Sequence, residues 1–420
     1  MSTSPLKAAQ NMTQTGQLKI SVTSSIIPIP ITDATINITL TGDPETTIEV
    51  TNTNESGQTD FIDLAAPDIE YSLTPQDIQP YSEYNLTITA PGYDPLVISG
   101  TQILPEVKSL QTITLTPNEF TQTESDIVIP AHTLYGDYPP KIPEPEIKPV
   151  NESGEIVLIR VVIPEYVIVH NGSPDDPTAP NYYVRYKDYI KNVASSEIYA
   201  TWPESSIYAN ILAIMSFTLN RVYTEFYRNR GYDFTITSST AFDQKWMYGR
   251  NIFENIDYLV DTVFANYLSR PGIRQPILAS YCDGRNVTCN GLSQWGSKYL
   301  GDEGYSAIDI IHYYYGNDMY INTAEAISGV PSSYPGYTLT IGASGQKVQQ
   351  MQEQLNRIAR NYPAIPTITA DGIYWERTAD AVRTFQGIFS LPQTGQTNYA
   401  TWYAISDIYV GVSRIAEPGQ

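Results

Sequence analysis

A chain of 420 residues carrying 45 acidic and 24 basic side chains, with a formal net charge of −21 and a pI near 4.4, repels polyanions, which argues against nucleic acid and anionic membrane surfaces as partners. Its length leaves room for two to four domains at roughly 100 to 200 residues each. Cys282 and Cys289 are too few for a disulfide framework, and with only His132, His170 and His312 beside them they offer no structural zinc spacing, so no metal or other cofactor is expected.

The start, MSTSPLKAAQNMTQTG, has no basic segment leading into an apolar one, and no run of about 18 apolar residues follows anywhere; neither a secretion leader nor membrane insertion is expected. The acidity is uneven, because residues 1–160 hold 21 Asp and Glu against 6 Lys and Arg. The abundance of tyrosine (33) and proline (30) leans toward an exported, β-rich protein that contacts carbohydrate.

Segments 18–22, 34–40, 47–51, 60–64, 84–90 and 111–116 alternate apolar and polar residues, and turn clusters such as Gly42-Asp43-Pro44 and Pro91-Gly92-Tyr93 separate them. This pattern predicts an antiparallel β-sandwich over residues 1–117. The stretches YNLTITAPGY and TITLTP make it resemble sandwiches of the carboxypeptidase-regulatory or Cna-B type, which carry no catalysis of their own.

Residues 118–160 change to DYPPKIPEPEIKPVNESG, an acidic, proline-rich linker that reads as an extended spacer or as a protease-accessible activation segment. A strand-like VVIPEYVIVH then opens an α+β central domain, 161–328. Helical spacing links Tyr183, Tyr186, Ile190 and Val193, and again Ile207, Ile211, Ile214, Thr218, Val222 and Phe226. Thr201 and Glu204 have capping-box spacing at the start of the second helix, with Pro203 suited to its first turn. The last unit, 338–412, contains two amphipathic helices over 345–360 and 378–389, and a third around 399–405 closes a three-helix bundle.

That last unit reads IGASGQKVQQMQEQL, DGIYWERTADAVRTFQ and LPQTGQTNYATW. It resembles the type-1 peptidoglycan-binding domain, whose blocks G-x-x-V, D-G-x-F/Y, T-x-x-A-V-x-x-F-Q and T-G…T-W fall here on Gly345, Val348, Asp371, Gly372, Thr378, Ala381, Val382, Phe385, Gln386, Gly395 and Trp402. The resemblance implies wall glycan or peptide contacts near the Asp-Gly turn, at Asp371, Tyr374 and Trp375.

The central domain resembles the SpoIID-like lytic transglycosylases through VASSEIYATWPESSIYANILAIMSFTLNRVY, TSSTAFDQKWMYG, ENIDYLVDTV, ASYCDG and GLSQWGSKYLGDEGYSAIDIIHYYYG. Their G-H-G-x-G-M-S-Q-W-G block lacks its histidine here, so a metal site of the kind some relatives hold is not implied. The resemblance implies Glu197 as the single acid/base, with Glu225 and Glu254 as fallbacks and Trp202 and Gln244 as substrate contacts; Ser293, Gln294 and Trp295, with Gly296, suit either a cleft wall that stacks on and hydrogen-bonds sugars or a buried turn of the core. Tyr313-Tyr314-Tyr315 and His312 read as packing residues, and the cysteines fit a disulfide or two free thiols equally. The order of parts resembles the clostridial spore cortex-lytic enzymes of the SleC type. It implies a zymogen activated by a protease near residues 150–162 and located in the spore cortex or coat, or otherwise in the extracytoplasmic wall. A non-catalytic wall or coat protein and a muramidase or amidase remain the alternatives.

Overall fold

The computed structural model describes residues 12–26, 28–120, 126–149, 160–324, 326–328 and 334–413. Strands β1 (Gln14–Ser24), β2 (Thr35–Leu40), β3 (Asp43–Asn52) and β4 (Ile62–Ala66) precede a helical turn, α1 (Glu70–Leu73). β5 (Ser82–Thr89), β6 (Leu96–Ile103), β7 (Lys108–Leu115) and the short β8 (Asp126–Val128) follow. Alternation along β1 sends Leu18, Ile20 and Val22 into a core shared with Ile36, Ile38, Leu86 and Ile88.

The two sheets run β4-β1-β7 and β3-β2-β5-β6-β8. They are mixed rather than purely antiparallel: β1 lies parallel to β7, Gln17 opposite Lys108 through Ser24 opposite Leu115, and β6 lies parallel to β8. β6 escapes a period-two reading because burial is nearly continuous along its second half, as in a strand covered on both faces. Within it Gly100 has φ +88°, and the carbonyl of Ile129 lies 2.7 Å from where a Cβ would stand.

The central region runs through β9 (Val162–Ile163), β10 (Tyr166–His170), β11 (Asn181–Arg185), α2 (Tyr186–Glu197), α3 (Glu204–Tyr223), β12 (Ile236–Thr237), β13 (Ile252–Phe253) and α4 (Glu254–Val263). It continues with β14 (Asn266–Ser269), β15 (Tyr281–Cys282), β16 (Leu292–Ser293), α5 (Gln294–Asp302), α6 (Ala307–Tyr315), β17 (Tyr320–Thr323) and β18 (Ala326–Ile327). α3 is buried on nearly every side, and Asn210, Ser216 and Thr218 satisfy their polar groups on carbonyls one turn back. Its start carries no capping box: Pro203 takes the cap position without a side-chain bond, and the Thr201 hydroxyl instead donates to Ser72 of the sandwich, 2.8 Å away.

The sandwich is locked to the central region. β13 pairs antiparallel with β7 and so adds a strand to the β4-β1-β7 sheet, and Met247 enters the sandwich core. Asn251 accepts from the Gln102 amide and donates to its carbonyl, at 3.1 and 2.7 Å. The Trp202 indole N–H donates to the Ser72 carbonyl at 2.9 Å.

Residues 126–149, part of the 118–160 stretch read as an extended spacer or an activation segment, form a strap laid over the central region. β8 joins the sheet, Ile129, His132 and Leu134 are buried, and backbone bonds tie Ile142 to Ala241 and Leu278 to Glu146. The expected cut site lies almost wholly outside the described residues, which resume at residue 160.

The C-terminal helices are α7 (Gln346–Ala359), α8 (Glu376–Ile388) and α9 (Tyr399–Ser413), the last extending well past residue 405. Val348, Met351, Leu355 and Ile358 meet Ala381, Val382 and Phe385 in the core. Two buried glutamines play matching parts. Gln352 accepts from the Gly372 N–H and donates to the Ile373 carbonyl, while Gln386 accepts from the Gly395 N–H and donates to the Gln396 carbonyl. The bundle docks on the rest of the chain through Lys187–Asp407 at 2.5 Å and Gln58 to the Ile388 carbonyl at 2.7 Å.

Candidate active site

Glu197 is the last residue of α2, 3% exposed, at the edge of a cavity of about 700 Å³. Tyr281, Cys282, Asp283 and Gln294 line the same cavity from the central region, and Thr133, Tyr135, Tyr138 and Lys141 line it from the strap. Glu197 Oε1 accepts the Lys245 backbone N–H at 2.7 Å, whereas Oε2 is buried without an aligned hydrogen bond among the described residues. The Tyr281 hydroxyl is likewise buried and unaligned, yet close enough that the two groups influence each other's ionisation.

Burial pushes the Glu197 carboxyl above the usual range, a shift opposed first by the Lys141 ammonium and then by the Lys245 N–H and the Tyr281 hydroxyl. Lys141 is the foremost cation acting on Glu197, ahead of Lys245. It donates to the Asp243 carbonyl and lies 4.4 Å from the Tyr281 ring centroid and 4.6 Å from that of Phe217. Burial lowers its pKa, with Glu197 the foremost charge holding it up.

The strap is anchored just beyond. Glu144 takes a two-pronged bond from the buried Arg221, at 2.5 and 2.9 Å, and pairs with Lys148 at 2.5 Å. Arg221 also holds Asp243 at 2.7 Å, and Asp243 accepts from Tyr227 and Thr237, so the strap ends on a preorganised charge network.

The residues singled out from sequence separate into two groups. Glu197 and Gln294 meet at the cavity. Trp202 and Trp295 are each 4% exposed and pack on one another with centroids 4.9 Å apart, so they form an aromatic core behind the site rather than its wall. Gln244 is fully buried, bonded to Tyr189, Thr218 and the Ile214 carbonyl; Ser293 caps α5 by accepting the Gly296 N–H. Glu225 pairs with Arg228 and Glu254 with Lys108, both away from the cavity lining.

Tyr281, Lys141 and Lys245 were not singled out from sequence. Tyr281 lay inside the quoted ASYCDG block, but nothing in spacing brings a proline-rich segment onto Glu197. The cysteines form a disulfide, Cys282–Cys289, closing a loop in which the Asp283 carboxylate accepts the N–H groups of Arg285, Asn286 and Val287. Among the described residues no three His, Cys, Asp or Glu converge as metal ligands would.

In the C-terminal bundle Asp371 is exposed and accepts the Ile373 N–H, holding the turn. Tyr374 is fully buried and bonded to Gly395 and Thr397, so it builds the module instead of contacting a ligand. Trp375 is 55% exposed and free to stack. A second cavity, about 550 Å³, lies at the junction of sandwich, central region and bundle, where Lys187 pairs with Asp261 and Asp407 and Lys191 with Asp257 and Asp261.

Residues 344–405 match the type-1 peptidoglycan-binding domain family, so the chain carries a peptidoglycan-binding domain, which suggests association with the cell wall. No curated protein matches the chain. Among solved structures, the minor pilin GBS52 of Streptococcus agalactiae is 13% identical over 27% of this chain and 48% of its own, TM-score 0.18. The chain thus spans about half of that pilin's length. The 5-hydroxyisourate hydrolase of Klebsiella pneumoniae is 16% identical over 24% of this chain and 91% of its own, TM-score 0.17. The 3-chlorocatechol 1,2-dioxygenase of Rhodococcus opacus 1CP is 10% identical over 24% and 59%, TM-score 0.17. Among the described residues no helix is long and apolar enough to cross a membrane.

Proposed function

We propose that the chain is a peptidoglycan lytic transglycosylase, made as an inactive precursor, that cleaves the bond between N-acetylmuramic acid and N-acetylglucosamine in the spore cortex. The observation that carries this reading is Glu197: a carboxyl whose burial favours the protonated form, with one oxygen fixed by a backbone N–H and the other beside Tyr281 without an aligned bond, facing a cavity on a chain that also carries a peptidoglycan-binding domain.

Glu197 gives its proton to the glycosidic oxygen as the bond to the muramic anomeric carbon breaks. The carboxylate so formed takes the proton of the same sugar's 6-hydroxyl, whose oxygen bonds to the anomeric carbon. No water is consumed, the product ends in a 1,6-anhydro ring, and Glu197 is protonated again. Tyr281 beside the carboxylate steadies its charged form between the two steps.

A muramidase would use a second carboxylate to activate water. Asp137 and Asp283 also line the cavity; the Asp283 oxygens are engaged by three backbone N–H groups of its own loop, and Asp137 sits on the strap that the proposed cut would release, which favours the one-carboxylate route. The precursor reading rests on the strap: residues 133–141 wall in Glu197 and put the Lys141 ammonium beside it. A protease acting between residues 149 and 160 would sever the strap from the domain it covers. The spore-cortex setting rests on the order of parts in the sequence.

Mass spectrometry of cortex fragments released by the protease-treated chain tests the reading, comparing wild type with Glu197→Gln. Anhydro-muropeptides that fall by on the order of a hundredfold or more in the variant support it. Hydrated reducing ends or new free amines, unaffected by the substitution, overturn it in favour of a muramidase or an amidase, and no release at all favours a non-catalytic wall protein.

A further inference from the structure

We infer that the tyrosine face of α5 and α6 is a glycan-binding extension of the Glu197 cavity, on which Tyr305 and Tyr313 stack neutral N-acetylated sugar rings of the strand being cut. The inference rests on the reading of that cavity as the cleavage site.

The run Tyr313-Tyr314-Tyr315, read from sequence as packing, is divided by the structure into three environments. Tyr315 is buried and its hydroxyl donates to the Ser280 carbonyl at 2.8 Å. Tyr314 is half-buried, with its hydroxyl beside that of Ser293. Tyr313 is 67% exposed, and Tyr299 and Tyr305 on the adjoining helix and turn are 45% and 42% exposed. Single exposed aromatics are ordinary on a protein surface, but Tyr305 and Tyr313 border one depression together.

Tyr305 and Tyr313 border an open depression of about 500 Å³ rimmed by Glu303, Asp309, His312 and Asn317. The depression is joined to the cavity by a chain of contacts. Gln294, a cavity residue, begins α5; Ser293 immediately before it meets Tyr314; and Tyr314 touches Tyr313 edge-on, with centroids 4.9 Å apart. Along α5 itself, Trp295 stacks with Tyr299 at 6.5 Å.

The chemistry of the rim selects the occupant. Glu303 and Asp309 repel an anionic polymer, whereas aromatic faces ringed by hydrogen-bonding groups suit the apolar face and peripheral hydroxyl and acetamido groups of a pyranose. Among the described residues the strap lines the cavity and not this depression.

The full chain is titrated with tetra-N-acetylchitotetraose by calorimetry, with Trp375→Ala in every protein so that the C-terminal module's exposed ring does not contribute. Tyr305→Ala combined with Tyr313→Ala is expected to weaken binding about tenfold or more, and the paired Phe variants, which keep the rings, to stay within about twofold. Tyr183→Ala, equally exposed on β11, leaves binding unchanged. Undiminished binding by the Ala pair, or no saturable binding by the reference chain, overturns the inference. If the protease-treated chain releases no anhydro-products while the Ala pair loses binding, the transglycosylase reading falls and the glycan-binding surface stands. The reverse pattern removes the subsite alone.

Discussion

The C-terminal bundle and the Glu197 cavity both hold buried polar side chains, but they treat them in opposite ways. In the bundle, Gln352 and Gln386 each find donors and acceptors in the glycine turn they support, and both amide ends are used. In the cavity, the groups come from residues 133–141, 197, 245 and 281–294, and Glu197 Oε2 and the Tyr281 hydroxyl end without aligned partners. An unpaired buried polar atom costs about 1–3 kcal/mol, so it persists where something other than stability holds it in place. Ser406, buried in α9 without an aligned partner among the described residues, shows that one such atom does not mark chemistry by itself; in the cavity two stand side by side.

The contrast is broken most sharply by Gln352→Ala, which strands the Gly372 N–H and the Thr378 hydroxyl region inside the bundle. We expect a loss of about 2–4 kcal/mol in that module, read by hydrogen exchange of α7 and α8, with α3 protection unchanged. Equal loss across both regions would mean the chain unfolds as one unit. Next, Glu144→Gln removes the strap's charged anchor while Arg221 keeps Asp243; with Glu144 partly exposed, about 1–2 kcal/mol of strap stability is expected to go. Faster proteolysis between residues 149 and 160 reads it out, and unchanged cutting would place the hold elsewhere.

A smaller effect is expected from Trp375→Ala: binding to purified peptidoglycan sacculi falls about tenfold while the unfolding free energy moves by less than about 0.5 kcal/mol. Unaltered binding would shift the wall contact to another face of the module. The finest test is pH. Burial raises the Glu197 pKa in the folded chain, so folding holds that proton more tightly; the associated stability is present below the ordinary glutamate range and is lost as pH rises through the folded value. Glu197→Gln does not titrate, so its unfolding midpoint should exceed that of wild type at neutral pH, and the gap should close below about pH 4. Parallel midpoints across that range would show that the carboxylate is accommodated without cost.

What the sequence made readable follows the same division. Helix periods and glycine turns are local, and so the bundle's inward set, from Val348 to Phe385, and the family it belongs to could be read along the chain. The strands of the sandwich were readable where one face is wet; β6, covered on both faces, was not. Glu197 and Gln294 could be proposed because motifs mark them, whereas Trp202 and Trp295 were assigned to a cleft wall because a tryptophan beside a motif gives no sign of which way it packs. Lys141 was beyond reach: a proline-rich acidic stretch has the composition of a spacer, and distant partners, the β6–β8 pairing and the Arg221–Asp243 network among them, make it a strap. The Thr201–Glu204 pair failed as a capping box for a related reason, because a long-range partner, Ser72, competes for the hydroxyl.

The strand that β13 lends to the sandwich separates two clocks. In the precursor reading, cutting between residues 149 and 160 is a second-order event that speeds up with added protease. The β7–β13 ladder, the β6–β8 pairing and the Glu144–Arg221 bond all survive that cut. Departure of the strap is then first-order, with a half-time written into those contacts and indifferent to how much protease is present. A plot of activity against time would carry a lag that shortens with protease only down to a floor, and that floor would be a direct reading of how firmly one strand is held.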